Sequence, residues 1–255
     1  MAAAGGVLGE SIPSYGEAEM ARKTERDNCI RCGACCLKGG PILHHEDRAI
    51  LLAGHASYRH LITIRKDELA FDPTIEAIKP VEKEMVKVRG KGDGWSCCLY
   101  DEKNSTCLIY ESRFLECRLL KCWDTAEIIS VIGKDTITRA DIIDHDDPVM
   151  EIIEIHEREC SIGEIERLIH GLKSGTAKRE STEKLTHLIS RDLAIRFFAA
   201  SELGLPEDLE RFVFGRSLIE IVKCRGIRIK PSSCLAKDCP PQMKSYITTA
   251  IKAPE

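Results

Sequence analysis

Four thiols stand close together in the chain, at Cys29, Cys32, Cys35 and Cys36. Cys-x2-Cys places two thiolates on one tight turn, close enough to bind one centre. Gly33, after the second cysteine, permits the unusual backbone angles of such a turn and lets N–H groups approach the sulfurs. The first three cysteines have the Cys-x2-Cys-x2-Cys opening of bacterial ferredoxin runs. The fourth departs from it, because Cys36 follows at once and Leu37, not proline, comes next. Adjacent side chains diverge, most of all in extended backbone, so Cys35 and Cys36 read as awkward ligands for one small ion. They could serve two centres, or one could ligate while the other packs. Zinc competes with iron here, since zinc takes four such thiolates in tetrahedral array.

A second group follows at Cys97, Cys98, Cys107, Cys117 and Cys122. Cys97 is expected to point away from its neighbour Cys98 and to be structural. With Cys122 counted, Cys29, Cys32, Cys35, Cys36, Cys98, Cys107 and Cys117 become a set of eight, enough for two four-cysteine clusters. Cys224, Cys234 and Cys239, the last followed by Pro240-Pro241, are candidates for a second metal site. Cys160 reads as a buried, inert thiol. His44 and His45, before Glu46 and Asp47, read as the start of a helix with its acids at the favourable end rather than as ligands. The chain contains no nucleotide-binding glycine motif, no nucleophile elbow and no His-Glu-x-x-His, so no catalytic residue is assigned.

The surroundings of these thiols favour metal over disulfides. The N-terminus has neither a charged region nor a long apolar run of the secretory kind, and no apolar run reaches the roughly 18 residues of a membrane span. A cytoplasmic location is therefore expected, where thiols stay reduced and cysteine spacing reads as metal binding. Thirteen cysteines in 255 residues call for such a reason. The formal net charge of −4 argues against a general nucleic-acid binder.

The elements that must hold the thiols are expected to make an α+β chain, mainly α: a small, irregular, cysteine-rich metal-binding domain with short strands, then a helical C-terminal half. Residues 1–27 read as a flexible tail, 28–135 as the cysteine domain and 136–255 as a helical domain with a C-terminal cysteine segment. Residues 28–40 read as a Cys/Gly loop and 44–58 as a short helix stopped by Gly54. Strands are expected at Leu61–Leu69 and Met85–Arg89, with a turn at 91–94. The polar run 101–106 between Cys98 and Cys107 predicts a hairpin. Helices are expected after Pro148, after Ser161 with its capping Glu164, through Leu185–Leu193 to near Gly204, after Pro206, and over Ser217–Lys223.

Cys29-x2-Cys32-Gly-x-Cys35-Cys36, then Asp47, then Cys98-x8-Cys107-x-Ile-Tyr-Glu-x-Arg-x3-Cys117-Arg118 closely resembles a bacterial and archaeal cysteine-cluster family described as a zinc- or iron-chelating domain. The resemblance covers about residues 28–122 and includes Ile109, Tyr110, Glu111, Arg113 and Arg118. Phe114 stands where that family usually has proline. The resemblance implies a metal-binding domain with ligands drawn from the seven cysteines of the pattern. Fused relatives that act as protein methyltransferases leave a cluster-dependent modifying enzyme as one alternative, and a structural zinc interaction module as another. The leading expectation is one or two [4Fe–4S] clusters in an electron-transfer or accessory subunit with a protein redox partner or larger complex. In that role Arg113 and Arg118 would offset thiolate charge.

Overall fold

The computed structural model describes residues 28–92, 94–175 and 178–227. The expected tail at 1–27 and the cysteines Cys234 and Cys239 lie outside the described residues. The chain divides into two units, Met1–Ile30 and Arg31–Glu255, and every element below belongs to the second.

That unit is α+β and mainly α. Its elements in chain order are α1 (Ala34–Lys38), α2 (Arg48–Leu52), β1 (Leu61–Ile64), β2 (Leu69–Asp72), β3 (Ala77–Pro80), β4 (Met85–Val88), β5 (Tyr100–Asp101), β6 (Thr106–Cys107), α3 (Leu115–Leu119), α4 (Ala126–Val131), α5 (Val149–Glu159), α6 (Ile162–Ser174), α7 (Lys178–Ser201), α8 (Glu210–Phe214) and α9 (Leu218–Cys224). The strands pair antiparallel as β1 with β4, β2 with β3 and β5 with β6. In the first pair Leu61 lies opposite Val88 and Thr63 opposite Val86.

Local chemistry explains most of these elements. Gly54, at φ 75°, ends α2 as a left-handed stop. Ser161 Oγ accepts from Glu164 N–H at the start of α6, and Ser217 Oγ from Glu220 N–H at the start of α9. The expected strand 61–69 is shorter, because Asp67 takes a left-handed turn at φ 66° and β2 begins after it. The β2–β3 hairpin was not expected. Its cross-strand pair Phe71 and Ile78 is 63% and 70% exposed, so no buried face marks it in the sequence, and Pro73 and Pro80 argue against a strand.

The buried core runs from Leu43 to Val222. Helices α5, α6 and α9 pack on α7, and α8 packs on β1. Ion pairs fasten the strands to these helices. Arg65, fully buried, donates two hydrogen bonds of 2.8 and 3.0 Å from Nε to the Glu157 carboxylate, and its Nη2 reaches Cys160 O at 2.8 Å. Arg139 joins the same Glu157 at 2.7 Å and also pairs with Glu84. Thr63 Oγ1 donates to Phe212 O at 2.5 Å.

Candidate metal centre

Cys35 and Cys36 lie not on an extended loop but on α1. A helical step turns successive side chains by about 100° rather than 180°, so adjacent thiols can share a side. Their sulfurs are 3.9 Å apart. With metal–sulfur bonds of about 2.3 Å in tetrahedral array, two thiolates on one ion would stand about 3.8 Å apart. The adjacent pair, which looked awkward in extended backbone, therefore matches the spacing of two ligands on a single ion.

Two contacts hold α1 in place. Gly33 precedes it at φ 75°, a left-handed conformation, and a Cβ there would lie 1.9 Å from Tyr100 Oη. Only glycine lets the buried ring of Tyr100 pass so close. Tyr100 lies opposite Cys107 in the β5–β6 hairpin, so the same packing brings Cys107 towards the first cysteine group. Cys97 N–H then donates to Cys36 O at 2.8 Å.

Cys117 arrives from α3. Asp47, fully buried, accepts from Leu115 N–H at 2.7 Å through Oδ1 and from His44 N–H at 2.9 Å through Oδ2. It thereby caps α3 and ties it to the strand-like segment 42–44. Glu116, next to Cys117, accepts from Ile42 N–H at 2.8 Å and lies 3.4 Å from His44 Nε2. His44 is thus a support for α3.

Five thiols have shifted pKa values with a neighbouring cysteine among the causes: Cys35, Cys36, Cys97, Cys98 and Cys117. Burial, then the charges of Cys97, Cys107 and Cys35, push the Cys117 thiol up. Burial raises Cys97 too, with Cys107 and Cys35 adding to it. Cys36 is raised by its hydrogen bond to Cys35 before burial and the charges of Cys35, Cys117 and Cys97 add to it. Cys35 goes the other way, to about 6, because Cys36 hydrogen-bonds to it, with backbone N–H groups and Arg113 helping. Cys35 is exposed and opens the group to solvent.

Cys98, expected as a ligand, donates to His60 O at 3.6 Å and is raised to about 11, chiefly by burial. Its neighbour Cys97, expected to be structural, is buried in the core. An isolated bridge joins Gly90 and Cys97, and consecutive residues in extended backbone face opposite sides. Cys32 and Cys122 are exposed, as is Cys224 at the end of α9. Cys29 is exposed in the N-terminal unit.

Cations line the group. Arg31 and Arg113 stack on the Tyr110 ring, 3.7 and 3.9 Å from its centroid, and Arg113 Nε donates to Tyr110 O at 2.9 Å. Arg118 instead donates to Arg113 O at 2.6 Å and pairs with Glu46. Lys87 donates to Gly40 O, and its burial lowers its pKa against the opposing charges of Glu116, Cys97 and Cys117. Only its place in the alternating run Met85–Val88 hints that it faces away from the core.

Among the described residues one trio of metal-type ligands, His156, Cys160 and Asp192, has donor atoms within 4.8 Å of one another and is buried, whereas of the cysteine sulfurs no three come that close together. The carboxylate of the trio is committed, while His156 Nδ1 is buried without a hydrogen-bond partner and Cys160 is a free thiol. The Asp192 carboxylate accepts from His156 Nε2 at 2.7 Å, Arg196 Nε at 2.9 Å and Leu218 N–H at 3.0 Å. The guanidinium charges of Arg65 and Arg196 both reach His156 and oppose a cation there. It is a structural node joining α5, α7 and α9.

No helix among the described residues is long and apolar enough to cross a membrane. No curated protein and no solved structure matches the chain significantly. The family model CxxCxxCC, described as "Putative zinc- or iron-chelating domain", matches residues 28–160, and with more than half its length matched the chain belongs to that family.

Proposed function

We propose that the chain chelates a single zinc or iron ion through four thiolates drawn from Cys35, Cys36, Cys97, Cys107 and Cys117. The observation that carries this reading is the 3.9 Å between the sulfurs of Cys35 and Cys36. A [4Fe–4S] cluster takes one thiolate per iron, which spreads its ligands over a larger figure than a single ion requires. The donor set is all sulfur, which suits zinc or thiolate-bound iron and not hard cations. An ion here would join α1, the β5–β6 hairpin and α3, three short elements with little core of their own. Its work is then to fix the first half of the unit, leaving the helical half as a face for a protein partner.

The test is metal and acid-labile sulfide analysis of the full chain purified under strict anaerobiosis. One zinc or iron per chain without sulfide supports the reading, and iron with equivalent sulfide overturns it.

A second reading is favoured by the spacing Cys29-x2-Cys32-x2-Cys35. That spacing is the opening of ferredoxin runs and suits an iron–sulfur cluster in an electron-transfer or accessory protein with a redox partner. The same sulfide measurement decides between the two.

A further inference from the structure

We propose that Cys35 and Cys36 are also a site of reversible oxidation, at which a peroxide joins the two adjacent sulfurs as a disulfide and withdraws both from metal binding. The withdrawal from metal rests on the single-ion reading above, whereas the oxidation itself does not. The two sulfurs stand 3.9 Å apart on α1. Among the described residues no third cysteine sulfur lies within 4.8 Å of both. An oxidised sulfur at either position thus meets the other of the pair at contact distance. Cys35 is exposed and Cys36 half-buried, so an oxidant in solution reaches Cys35 first.

The step balances with a peroxide as the oxidant. The Cys35 sulfur attacks one oxygen of hydrogen peroxide and the O–O bond breaks. The displaced hydroxide leaves as water with the thiol proton, and Cys35 becomes a sulfenic acid. The Cys36 sulfur then attacks the Cys35 sulfur. The S–S bond forms, the S–O bond breaks, and the Cys36 proton leaves with the oxygen as a second water. The two thiols together lose two electrons, and the peroxide is reduced by the same two.

The backbone makes this bond a reversible one. Adjacent residues have Cα atoms about 3.8 Å apart, closer than the roughly 4.4 Å at which disulfides ordinarily begin. The bond is therefore strained, and strained, exposed disulfides are the readily reduced, regulatory kind. α1 is built to yield to the strain, since it has five residues and buries none of them. The carbonyl of Cys36 accepts from Cys97 N–H at 2.8 Å, so a distortion of the pair is passed directly to the segment that carries Cys97.

The test uses the metal-free full chain, freed of reductant and given one equivalent of hydrogen peroxide, then alkylated and mapped by peptide mass. Cys35 and Cys36 are expected to escape alkylation, joined to each other in a peptide lighter by two hydrogens, and glutathione is expected to restore both thiols. Cys36→Ala is expected instead to leave a sulfenic acid at Cys35 that dimedone traps, a species the parent does not accumulate. Cys35 and Cys36 still open to alkylation, or either joined to a different cysteine, overturns the proposal. The Zn²⁺-loaded chain carries the second arm. Peroxide is expected to release one Zn²⁺ for each Cys35–Cys36 disulfide, read with a chromophoric chelator, and Zn²⁺ retained by the oxidised chain overturns the withdrawal from metal. A parental chain that takes up neither Zn²⁺ nor iron defeats the single-ion reading instead, and the disulfide is still read on the metal-free chain.

Discussion

Tyr110 carries a guanidinium on each face, Arg31 from the first cysteine loop and Arg113 from the segment before α3. Each stack is worth roughly 0.5–1 kcal/mol where exposed. Removing both in Tyr110→Ala should therefore weaken Zn²⁺ binding by about tenfold, while Tyr110→Phe, which keeps the ring, should bind as the parent does. Chelator competition measures both. The adjacent cysteines give a sharper residue-level contrast. Cys97→Ser should lose Zn²⁺ affinity by more than the 10–100-fold of a supporting residue, and Cys98→Ser, whose thiol only meets His60 O, should keep it. The sequence made the cysteines visible as a candidate metal set but could not say which of this pair is the more deeply buried, which is Cys97. That depends on the phase of one bridge, Gly90 with Cys97, between residues with no periodic signal of their own. Lys87 was equally hidden, because one lysine in an alternating strand looks like any solvated residue.

The elements at the centre are short, and close packing at particular positions, not propensity, places them. α1 has five residues and no buried residue, so nothing in the Cys/Gly run marks it as a helix. Its place is set by Gly33 against Tyr100. Gly33→Ala would combine a left-handed backbone with a 1.9 Å clash, and should lower stability by about 1–3 kcal/mol. Urea unfolding of the metal-free chain checks this, and Zn²⁺ affinity should fall alongside because Cys35 and Cys36 move with α1. Asp47→Ala should likewise release α3, which depends on the carboxylate for its first turn. The long helices were legible for the opposite reason. Ser161 with Glu164, and the apolar stripe through Leu185 and Ile189, state their ends and their buried faces locally.

Across the whole unit, the strands and helices are joined by buried charge. Arg65 and Arg139 converge on Glu157, while His156 and Asp192 bind α5, α7 and α9 together. None of these partners is near the other in sequence, so no local pattern announces them. His156 is held neutral, its pKa lowered to about 4, mainly by burial, although Asp192 pulls the other way. The unfolded chain would take up a proton near pH 6.5, well before the folded one does. Stability from this node is therefore complete above about pH 6.5 and declines as pH falls towards 4, by on the order of 3 kcal/mol in all. Urea unfolding of the metal-free chain across that range should show the slope, and His156→Gln should flatten it. In the proposed function one ion is held by thiolates of α1, the β5–β6 hairpin and α3. X-ray absorption at the edge of the bound metal tests this most directly. A single sulfur shell at about 2.3 Å with no metal–metal scattering is the predicted result, and a metal–metal shell, the mark of a cluster, would contradict it.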